Sequence, residues 1–375
     1  MKESEIRNPN THERYLQLVS EDALSFFGDS SRLEETACPA CGTRKFRAEF
    51  VKFGFTYGSC ESCRTLYVNP RPKMGPLTEF YVNSPSSRYW VEEFFKPVAE
   101  ARREKMFKPR ARHVAELLPG LSKEKIGDIG AGYGLFLEEL RRFWPEADFF
   151  AIEPSPEMAA ICRGKGLGVA EVMIEDLQGA DGTFAVLTAF ELLEHLHTPE
   201  TMIRKAFSLL RPGGYFLATT LSGEGFDIQI LWEKSRSVFP PHHLNFMNPD
   251  SLAGLCRRAG FEIEAAETPG VLDWQIIEGC AQRQEAPVGR FWETVARHGS
   301  PKPSRNSRPG SQSTASAPTC AWSPANRLHE TSHRSRCSPG PDGVDPLSRQ
   351  TARLDRRPAD GRTCPPPRAA VPARQ

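Results

Sequence analysis

The sequence predicts an α/β protein built around a mostly parallel sheet, and three observations lead to this fold class. Short apolar strands alternate with amphipathic helices from Lys125 onward, as in repeated strand–helix units. The glycine-rich segment DIGAGYG, residues 128–134, joins the first of these strands to a helix. An acidic residue, Glu153, ends the next strand, at the edge where parallel sheets bind ligands. We therefore expect a ligand at this edge.

Apolar runs and helix-capping residues set the elements of this domain. One helix is expected to begin at Pro199, with Thr198 as its cap, and to stop at the PGG of residues 212–214. A later helix should follow Asn248 as its cap and stop at Gly260. The strands are expected at residues 126–129, 149–153, 184–190, 215–220 and 261–268.

The bulk composition predicts a soluble, cytoplasmic protein. The 375 residues include 48 Lys and Arg against 47 Asp and Glu, so the net charge of +1 indicates neither a nucleic-acid nor a membrane partner. The first ten residues are too polar for a secretory leader, and no apolar run approaches a membrane span. In the cytoplasm, the ten cysteines are expected to be thiols or metal ligands.

Two pairs of cysteines near the N-terminus have the spacing of a structural zinc site. Cys38 and Cys41 form one CxxC turn, and Cys60 and Cys63 form a second turn after a short β-rich stretch. Four thiolates close a tetrahedral zinc without an open position, so we expect a zinc ribbon that stabilises the fold. Zinc ribbons can also bind nucleic acid, but acidic residues balance the nearby basic ones and no long basic patch forms.

Segments of different composition flank these two modules. Residues 86–118 are predicted to be helical, with an aromatic stripe, and to lie over the ligand cleft. Residues 285–375 are rich in Pro, Arg, Ser and Ala, and two interpretations are open for them: a disordered tail, or a stretch translated out of frame. The expected organisation is an N-terminal helical segment at 1–33, the zinc ribbon at 34–75, a helical lead-in at 76–120, the ligand-binding α/β domain at 121–284 and the tail at 285–375.

The glycine-rich loop distinguishes two classes of cofactor. A dinucleotide loop needs Gly-x-Gly-x-x-Gly, but the glycines here are Gly130, Gly132 and Gly134, and Leu135 stands at the third required position. The preceding Asp128 would repel a pyrophosphate, whereas S-adenosylmethionine carries an ammonium and a sulfonium that a carboxylate attracts. The loop therefore favours S-adenosylmethionine over a nicotinamide or flavin dinucleotide.

Glu153 supports a nucleoside ligand but does not choose between these cofactors. Both classes use an acid at the end of the second strand to accept hydrogen bonds from the ribose hydroxyls. A solvated residue at a strand end is the alternative interpretation of Glu153, although Pro154 ends the strand directly after it.

Five segments together resemble class I S-adenosylmethionine-dependent methyltransferases: DIGAGYG, AIEPSP, FAVLTAFELLEHLHTPE, LLRPGGYFLATT and PPHHLNFMNPDSLAGLCRRAGFE. CPACG and CESC, followed by LYVNPRP, resemble the bacterial members of this family that carry an N-terminal zinc ribbon. The likeness runs from about Cys38 to Gly279. It implies a Rossmann-like, doubly wound sheet and a methyl transfer activity.

The resemblance also implies roles for individual residues, and one departure from the family pattern. These methyltransferases end with an antiparallel strand between the fifth and sixth strands; here that strand would fall in the tail, and an out-of-frame tail would leave the sheet incomplete and the chain unstable or inactive. The implied cofactor residues are Asp128, Gly130, Gly132 and Gly134 for the methionine part, Glu153 for the ribose, Glu175 or Asp176 for the adenine, and Phe190 and Glu191 beside the methyl group.

The candidate catalytic residues are an acid and three histidines that could deprotonate an acceptor, since the ordinary pKa of histidine suits a general base. Glu194 and His195 belong to a segment that recurs in methyltransferases with different acceptors, so a role in supporting the fold is also open. His242 and His243 follow a rigid Pro-Pro loop after the fifth strand, where they either meet the acceptor or close the loop.

The expected function is methyl transfer to an oxygen or carbon atom of a small-molecule acceptor, such as a sugar, lipid or secondary metabolite. Two alternatives remain open: an RNA or protein methylase docked by the zinc ribbon, and a cofactor-binding protein without turnover. The near-neutral charge favours the small molecule, because polyanion binding usually leaves a basic footprint. The sequence does not predict the oligomeric state.

Overall fold

The computed structural model describes residue 6 and residues 8–268, 273–283, 289 and 368–372. Its strands are β1 (Leu33–Glu34), β2 (Phe46–Lys52), β3 (Phe55–Cys60), β4 (Leu66–Val68), β5 (Arg71–Pro72), β6 (Lys125–Ile129), β7 (Asp148–Ile152), β8 (Gly168–Ala170), β9 (Phe184–Phe190), β10 (Leu210–Thr219), β11 (Asn245–Phe246), β12 (Glu262–Glu267) and β13 (Arg368–Pro372).

The α-helices of the described residues are α1 (Pro9–Phe27), α2 (Met74–Asn83), α3 (Pro85–Tyr89), α4 (Ala99–Arg102), α5 (Lys108–Leu117), α6 (Leu135–Leu140), α7 (Pro156–Gly164), α8 (Pro199–Leu209), α9 (Phe226–Leu231), α10 (Pro249–Arg258) and α11 (Asp273–Gln282). The lead-in predicted to be helical is made of α-helices joined by short π and 3-10 helical segments between α3 and α5. No helix within these residues is long and apolar enough to cross a membrane.

Seven strands form the central sheet in the order β12-β13-β10-β9-β6-β7-β8, and every neighbouring pair is parallel. The predicted α/β fold with a Rossmann-like sheet is confirmed. The first strand of the domain, β6, lies between β7 and β9, so the direction of winding reverses at β6. The crevice outside the carboxyl ends of these strands is where such sheets bind ligands.

The strand between β10 and β12 differs in direction from the expectation. An antiparallel strand was expected at this position, with the risk that the tail would leave it empty. Instead, β13 lies there and pairs in parallel with both neighbours. The segment predicted as a disordered tail therefore contributes one strand at residues 368–372, while most of that tail lies outside the described residues.

The two predicted helix caps have different outcomes. The Asn248 side chain accepts a hydrogen bond from the Ser251 N–H at 2.8 Å, which confirms it as the cap of α10. Thr198 stands at the predicted cap position before α8, but its side chain makes no capping hydrogen bond. The Thr198 hydroxyl instead lies 3.2 Å from Nδ1 of the His197 ring.

The predicted stop of α8 at residues 212–214 lies inside a strand. Helix α8 ends at Leu209, and β10 begins at once with Leu210, which pairs with Phe184 of β9. The register then shifts before Tyr215, so the Pro-Gly-Gly segment forms an irregularity within β10. Pairing with β9, which is a long-range contact, therefore decided this boundary.

The zinc ribbon shares a sheet and a core with the α/β domain. Strands β2, β3 and β4 are antiparallel, and β11, which follows β10 in the chain, pairs with β4 as a fourth strand. Cys38, Cys60 and Tyr67 of the ribbon pack in the same buried cluster as Ile129 and Phe184 of the central sheet. The ribbon is thus packed against the domain that carries the glycine-rich loop.

Candidate active site

The glycine-rich loop between β6 and α6 needs glycine for its backbone conformation and its packing. Gly130, Gly132 and Gly134 have φ of 68°, 56° and 67°, in the left-handed region that favours glycine. A Cβ on Gly134 would lie 2.8 Å from Leu167 and 3.0 Å from the Cys162 sulfur, whereas a Cβ on Gly132 would meet nothing within 4 Å. The loop therefore packs at Gly134 and leaves open space above Gly132.

Asp128 lies at the end of β6 with only 4% of its surface exposed. Its carboxylate accepts a hydrogen bond from the Thr188 hydroxyl of β9 at 2.6 Å. Burial raises the pKa of Asp128 to about 7, and the Thr188 hydrogen bond and the nearby Arg110 only partly oppose this effect. A cationic ligand beside this carboxylate would favour its ionised form.

Glu153 follows β7 and connects two backbone segments at the same edge. The Gly132 N–H donates to its Oε2 at 2.7 Å, and the Ser155 N–H donates to its Oε1 at 2.9 Å. Burial raises its pKa. The predicted acid is thus a buried group bonded to the glycine loop, which contradicts the interpretation of Glu153 as a solvated strand end.

The two candidates for the adenine end differ in exposure. Both follow β8, in a short 3-10 helix at Ile174–Asp176. Asp176 is exposed, whereas Glu175 is half-buried and its Oε2 is a buried oxygen without a hydrogen-bond partner. Burial raises the pKa of Glu175. Of the two, Glu175 has the acceptor atom that a ligand amine could satisfy.

Phe190 and Glu191, at the end of β9, contact an arginine that the sequence did not single out. Glu191 has φ of 55°, and its Oε1 accepts hydrogen bonds from the Thr219 hydroxyl at 2.6 Å and from Arg110 at 3.1 Å. The Arg110 guanidinium lies 4.4 Å from the centre of the Phe190 ring. Arg110 belongs to α5, in the lead-in predicted to lie over the cleft, and this placement was the only signal for it.

Three of the four candidate catalytic residues form one cluster. Single ligand atoms of Glu194, His195 and His243 all lie within 4.8 Å of one another. The Thr220 hydroxyl donates to Glu194 Oε2 at 2.8 Å, and His243 Nδ1 lies 2.6 Å from the Ser237 carbonyl oxygen. Two imidazoles and a carboxylate at this spacing can pass a proton between them or hold a divalent cation.

The fourth candidate, His242, lies outside this cluster in an aromatic environment. Its ring centre lies 4.9 Å from Phe80, 5.4 Å from Tyr81, 5.8 Å from Tyr15 and 5.9 Å from Phe239. Only 5% of His242 is exposed, and its Nε2 has no hydrogen-bond partner. Burial lowers its pKa to about 3, so the ring is neutral at pH 7.

The N-terminal helices pack directly against the histidines: the rings of Tyr15 in α1 and Tyr81 in α2 lie 5.8 and 5.4 Å from that of His242. Burial, together with the charge of Glu194, raises the pKa of Tyr81 in α2, although 37% of Tyr81 is exposed. His195 is similarly accessible in part, while burial lowers its pKa to about 4. Tyr81 and His195 are thus partly accessible groups, and no motif in the sequence indicated a role for Tyr81.

The four cysteines of the ribbon form a separate cluster. The Cys38 and Cys63 sulfurs lie 3.5 Å apart, as do those of Cys41 and Cys60, and all four lie within 4.8 Å of one another. Zn–S bonds of about 2.3 Å in a tetrahedron place sulfurs roughly 3.8 Å apart, so this set fits a structural zinc. The hydrogen bond between Cys38 and Cys63 lowers the pKa of Cys63 and raises that of Cys38, so the two thiols share one proton that zinc binding would release.

Comparison with known proteins agrees with this arrangement of sheet, loop and acids. Residues 99–266 match the family model of a methyltransferase domain. A ubiquinone biosynthesis O-methyltransferase from Xanthomonas campestris pv. campestris is 30% identical over 168 residues, which are 41% of this chain and 67% of that protein. The protein of the same name from Xanthomonas euvesicatoria pv. vesicatoria is 30% identical over 157 residues, 38% of this chain and 65% of that protein.

A solved structure from Thermotoga maritima, described as a methyltransferase dependent on S-adenosylmethionine and a possible histamine N-methyltransferase, is 24% identical. The match covers 50% of this chain and 82% of the Thermotoga maritima chain, with a TM-score of 0.38. The chain spans about 65% of the length of the first curated relatives that it matches. The fold, the match to the family model and the curated relatives show that the chain belongs to the class I S-adenosylmethionine-dependent methyltransferases.

Proposed function

We propose that this protein transfers a methyl group from S-adenosylmethionine to an oxygen or carbon atom of a small-molecule acceptor. The observation that carries the proposal is the cluster of Glu194, His195 and His243, with the buried His242 beside it in the chain, on a sheet that carries the glycine loop at its carboxyl edge. Glu191 connects the two parts, since it directly follows β9 at the crevice and its charge acts on His195.

Residues at the crevice fit the cofactor along its length. Asp128 would lie near the ammonium, Glu153 would accept from the ribose hydroxyls, and the unpartnered Oε2 of Glu175 would accept from the adenine amine. The open space above Gly132 leaves room for the ligand against the backbone. When bound, S-adenosylmethionine supplies a methyl group on a sulfonium that is its own leaving group.

The protein's own part in the reaction is to orient the acceptor and to take its proton. Methyl transfer requires the attacking atom to be held close to the methyl group and in line with it. His195 and His242 have lowered pKa values of about 4 and 3, so both are neutral at pH 7 and can accept a hydrogen bond from an acceptor hydroxyl. The acceptor's hydroxyl proton would then be transferred to the cluster of Glu194, His195 and His243, where the carboxylate can stabilise a protonated histidine.

The surroundings of His242 support an apolar or aromatic small molecule. Four aromatic rings line this histidine, and α1 covers it through Tyr15. The relatives are named as O-methyltransferases of ubiquinone biosynthesis, which agrees with a small-molecule acceptor and with an oxygen as the methylated atom. Within the wider expectation of a sugar, lipid or secondary metabolite, the aromatic lining favours the less polar acceptors.

The ribbon is poorly suited to dock a polyanion. Arg47 pairs with Glu49 at 2.8 Å, and Arg64 pairs with Glu224 at 2.7 Å, so acids neutralise two of its basic residues. The ribbon also uses one edge to pair with β11 of its own chain. Both features favour a small-molecule acceptor over RNA or a protein.

Labelled cofactor tests the proposal. The protein is incubated with tritiated S-adenosylmethionine and a crude cell extract, which is then separated into small-molecule, RNA and protein fractions. We expect label in the small-molecule fraction, and a Glu153→Gln variant should abolish most of it. Label in the RNA or protein fraction would overturn the acceptor class, and no transfer into any fraction would indicate a cofactor-binding protein without turnover.

A further inference from the structure

The ribbon makes direct hydrogen bonds to the loop that carries two candidate catalytic histidines. The hydroxyl of Tyr57, in β3, donates to the His243 carbonyl oxygen at 2.5 Å, and Tyr57 is fully buried. The Val68 N–H donates to the Leu244 carbonyl at 3.0 Å. Strand β4 then pairs with β11, with Tyr67 opposite Asn245. The backbone after His242 is therefore held by ribbon residues.

A buried arginine of the ribbon donates hydrogen bonds to the two segments that carry the candidate catalytic residues. Arg71, in β5, is 1% exposed; its Nη1 donates to the His197 carbonyl at 2.6 Å and its Nη2 to Asn245 Oδ1 at 3.2 Å. The Asn245 side chain in turn donates to the carbonyls of Leu193 and Leu196, at 3.1 and 2.7 Å. Arg71 and Asn245 thus join the Glu194–His195 segment to the His242–His243 loop.

The zinc end of the ribbon is bonded to the helix that follows this loop. The Asn248 side chain donates to the Cys63 carbonyl at 2.8 Å, and Arg258 donates to the Ala40 carbonyl. Both residues belong to α10 or its cap, and both acceptors lie within the CxxC turns. Binding of a metal by the four cysteines would therefore fix the two CxxC turns, and these turns hold α10. The same ribbon holds β11 and, with it, the loop of His242 and His243, called the histidine loop below.

We propose that the zinc ribbon forms the supporting half of the acceptor site, with Tyr57 and Arg71 as positioning residues for His243 and for the Glu194–His195 segment. This inference rests on the proposed function, and it gives the ribbon a part in methyl transfer other than docking a macromolecule. Because a displacement of about 1 Å can slow a reaction roughly a hundredfold, a small loss of support should appear in the rate.

The ribbon offers a matched pair of tyrosines for the test. Tyr57 and Tyr67 lie in neighbouring strands of one sheet and both are fully buried. The Tyr57 hydroxyl bonds to the His243 carbonyl, whereas the Tyr67 hydroxyl has no hydrogen-bond partner. Tyr57→Phe and Tyr67→Phe thus remove the same atom, and only the first removes a hydrogen bond to the loop of His242 and His243. The Tyr67 ring lies 5.9 Å from the Arg71 guanidinium, a contact that phenylalanine keeps.

The first readout does not depend on activity. Histidine ring signals of the full-length, zinc-loaded protein are recorded by NMR for both variants. We expect Tyr57→Phe to shift the His243 signals and Tyr67→Phe to leave them close to the wild type, with one zinc per chain and unchanged affinity for S-adenosylmethionine in both. Identical histidine spectra in the two variants would overturn the proposal, whatever acceptor the enzyme uses.

The second readout is the rate of label transfer into the small-molecule fraction of the extract. Tyr57→Phe should lower this rate roughly tenfold at saturating cofactor, and Tyr67→Phe should not. Arg71→Lys, which keeps the charge but cannot bond to both acceptors as Arg71 does, should act in the same direction. Equal rates for Tyr57→Phe and Tyr67→Phe would contradict the proposal, whereas a wild type without transfer would contradict only the proposed function.

Discussion

Asp128 is an ionisable residue whose protonation should control cofactor binding. Its pKa is raised to about 7 by burial, so the ligand-free protein holds a proton there below neutral pH. The ionised form attracts the cofactor's ammonium, and binding should strengthen as the pH rises through this pKa. Between pH 5.5 and 7, we expect the affinity for S-adenosylmethionine to rise by up to about tenfold per pH unit, measured by calorimetry.

An Asp128→Asn variant is the control for this pH dependence. It keeps a polar side chain beside Thr188 but has no proton to lose, so its affinity should be weaker and should change little between pH 5.5 and 7. A wild type whose affinity is flat over this range, or a variant that keeps the slope, would show that another group titrates.

Single residues also show what the sequence could predict at this scale. The positions of Asp128 and Glu153 followed from loop spacing and strand ends, because both are local features of the chain. Tyr57, Tyr81 and Arg110 could not be predicted, since their contacts with the site join parts of the chain that are far apart; the Tyr57 to His243 bond spans 186 residues. The residues next to Tyr57 in the sequence therefore do not indicate that its hydroxyl bonds to His243.

Among the elements, the junction of β6 and α6 depends on Gly134 for packing as well as for conformation. Gly134→Ala should destabilise the protein by about 2–4 kcal/mol, since it adds left-handed strain and presses a Cβ against Leu167 and Cys162. Gly132→Ala has similar strain but open space around its Cβ, so it should cost only about 1–2 kcal/mol. Urea unfolding without cofactor measures both; equal losses would contradict the packing argument.

Helix and strand boundaries show which elements local sequence determines. The Asn248 cap is a local signal and is confirmed, since its side chain bonds to a backbone N–H three residues later. The stop predicted at residues 212–214 failed because β10 already pairs with β9 at Leu210, before the irregular Pro-Gly-Gly segment. The parallel direction of β13 was not predicted either, because it is set by pairing with β10 and β12, which lie far from β13 in the chain.

For the whole molecule, the neutral histidines under the N-terminal helices should make the fold sensitive to acid. The pKa of His242 is lowered to about 3 by burial, against about 6.5 in an unfolded chain, so its contribution to stability is complete above pH 6.5 and is lost as the pH falls towards 3. The free energy of unfolding should fall by up to about 1.4 kcal/mol per pH unit from this residue.

A His242→Phe variant separates this effect from that of the other titrating groups. It keeps an aromatic ring among Tyr15, Phe80 and Phe239 but cannot be protonated. Its stability, measured by urea unfolding from pH 6.5 to 4.5, should fall less steeply than that of the wild type. Parallel curves for the two proteins would mean that His242 is not the buried neutral group described above.

Calorimetric titration with S-adenosylmethionine tests the central claim most directly, because cofactor binding at the β6 and β7 edge underlies every proposed role. The wild type should bind one cofactor per chain, and Glu153→Gln should bind at least about tenfold more weakly, since it loses a charged acceptor for the ribose hydroxyls. Glu146→Gln, an exposed residue before the amino end of β7, should bind as the wild type does. A wild type that does not bind, or a Glu153→Gln variant with unchanged affinity, would contradict the account.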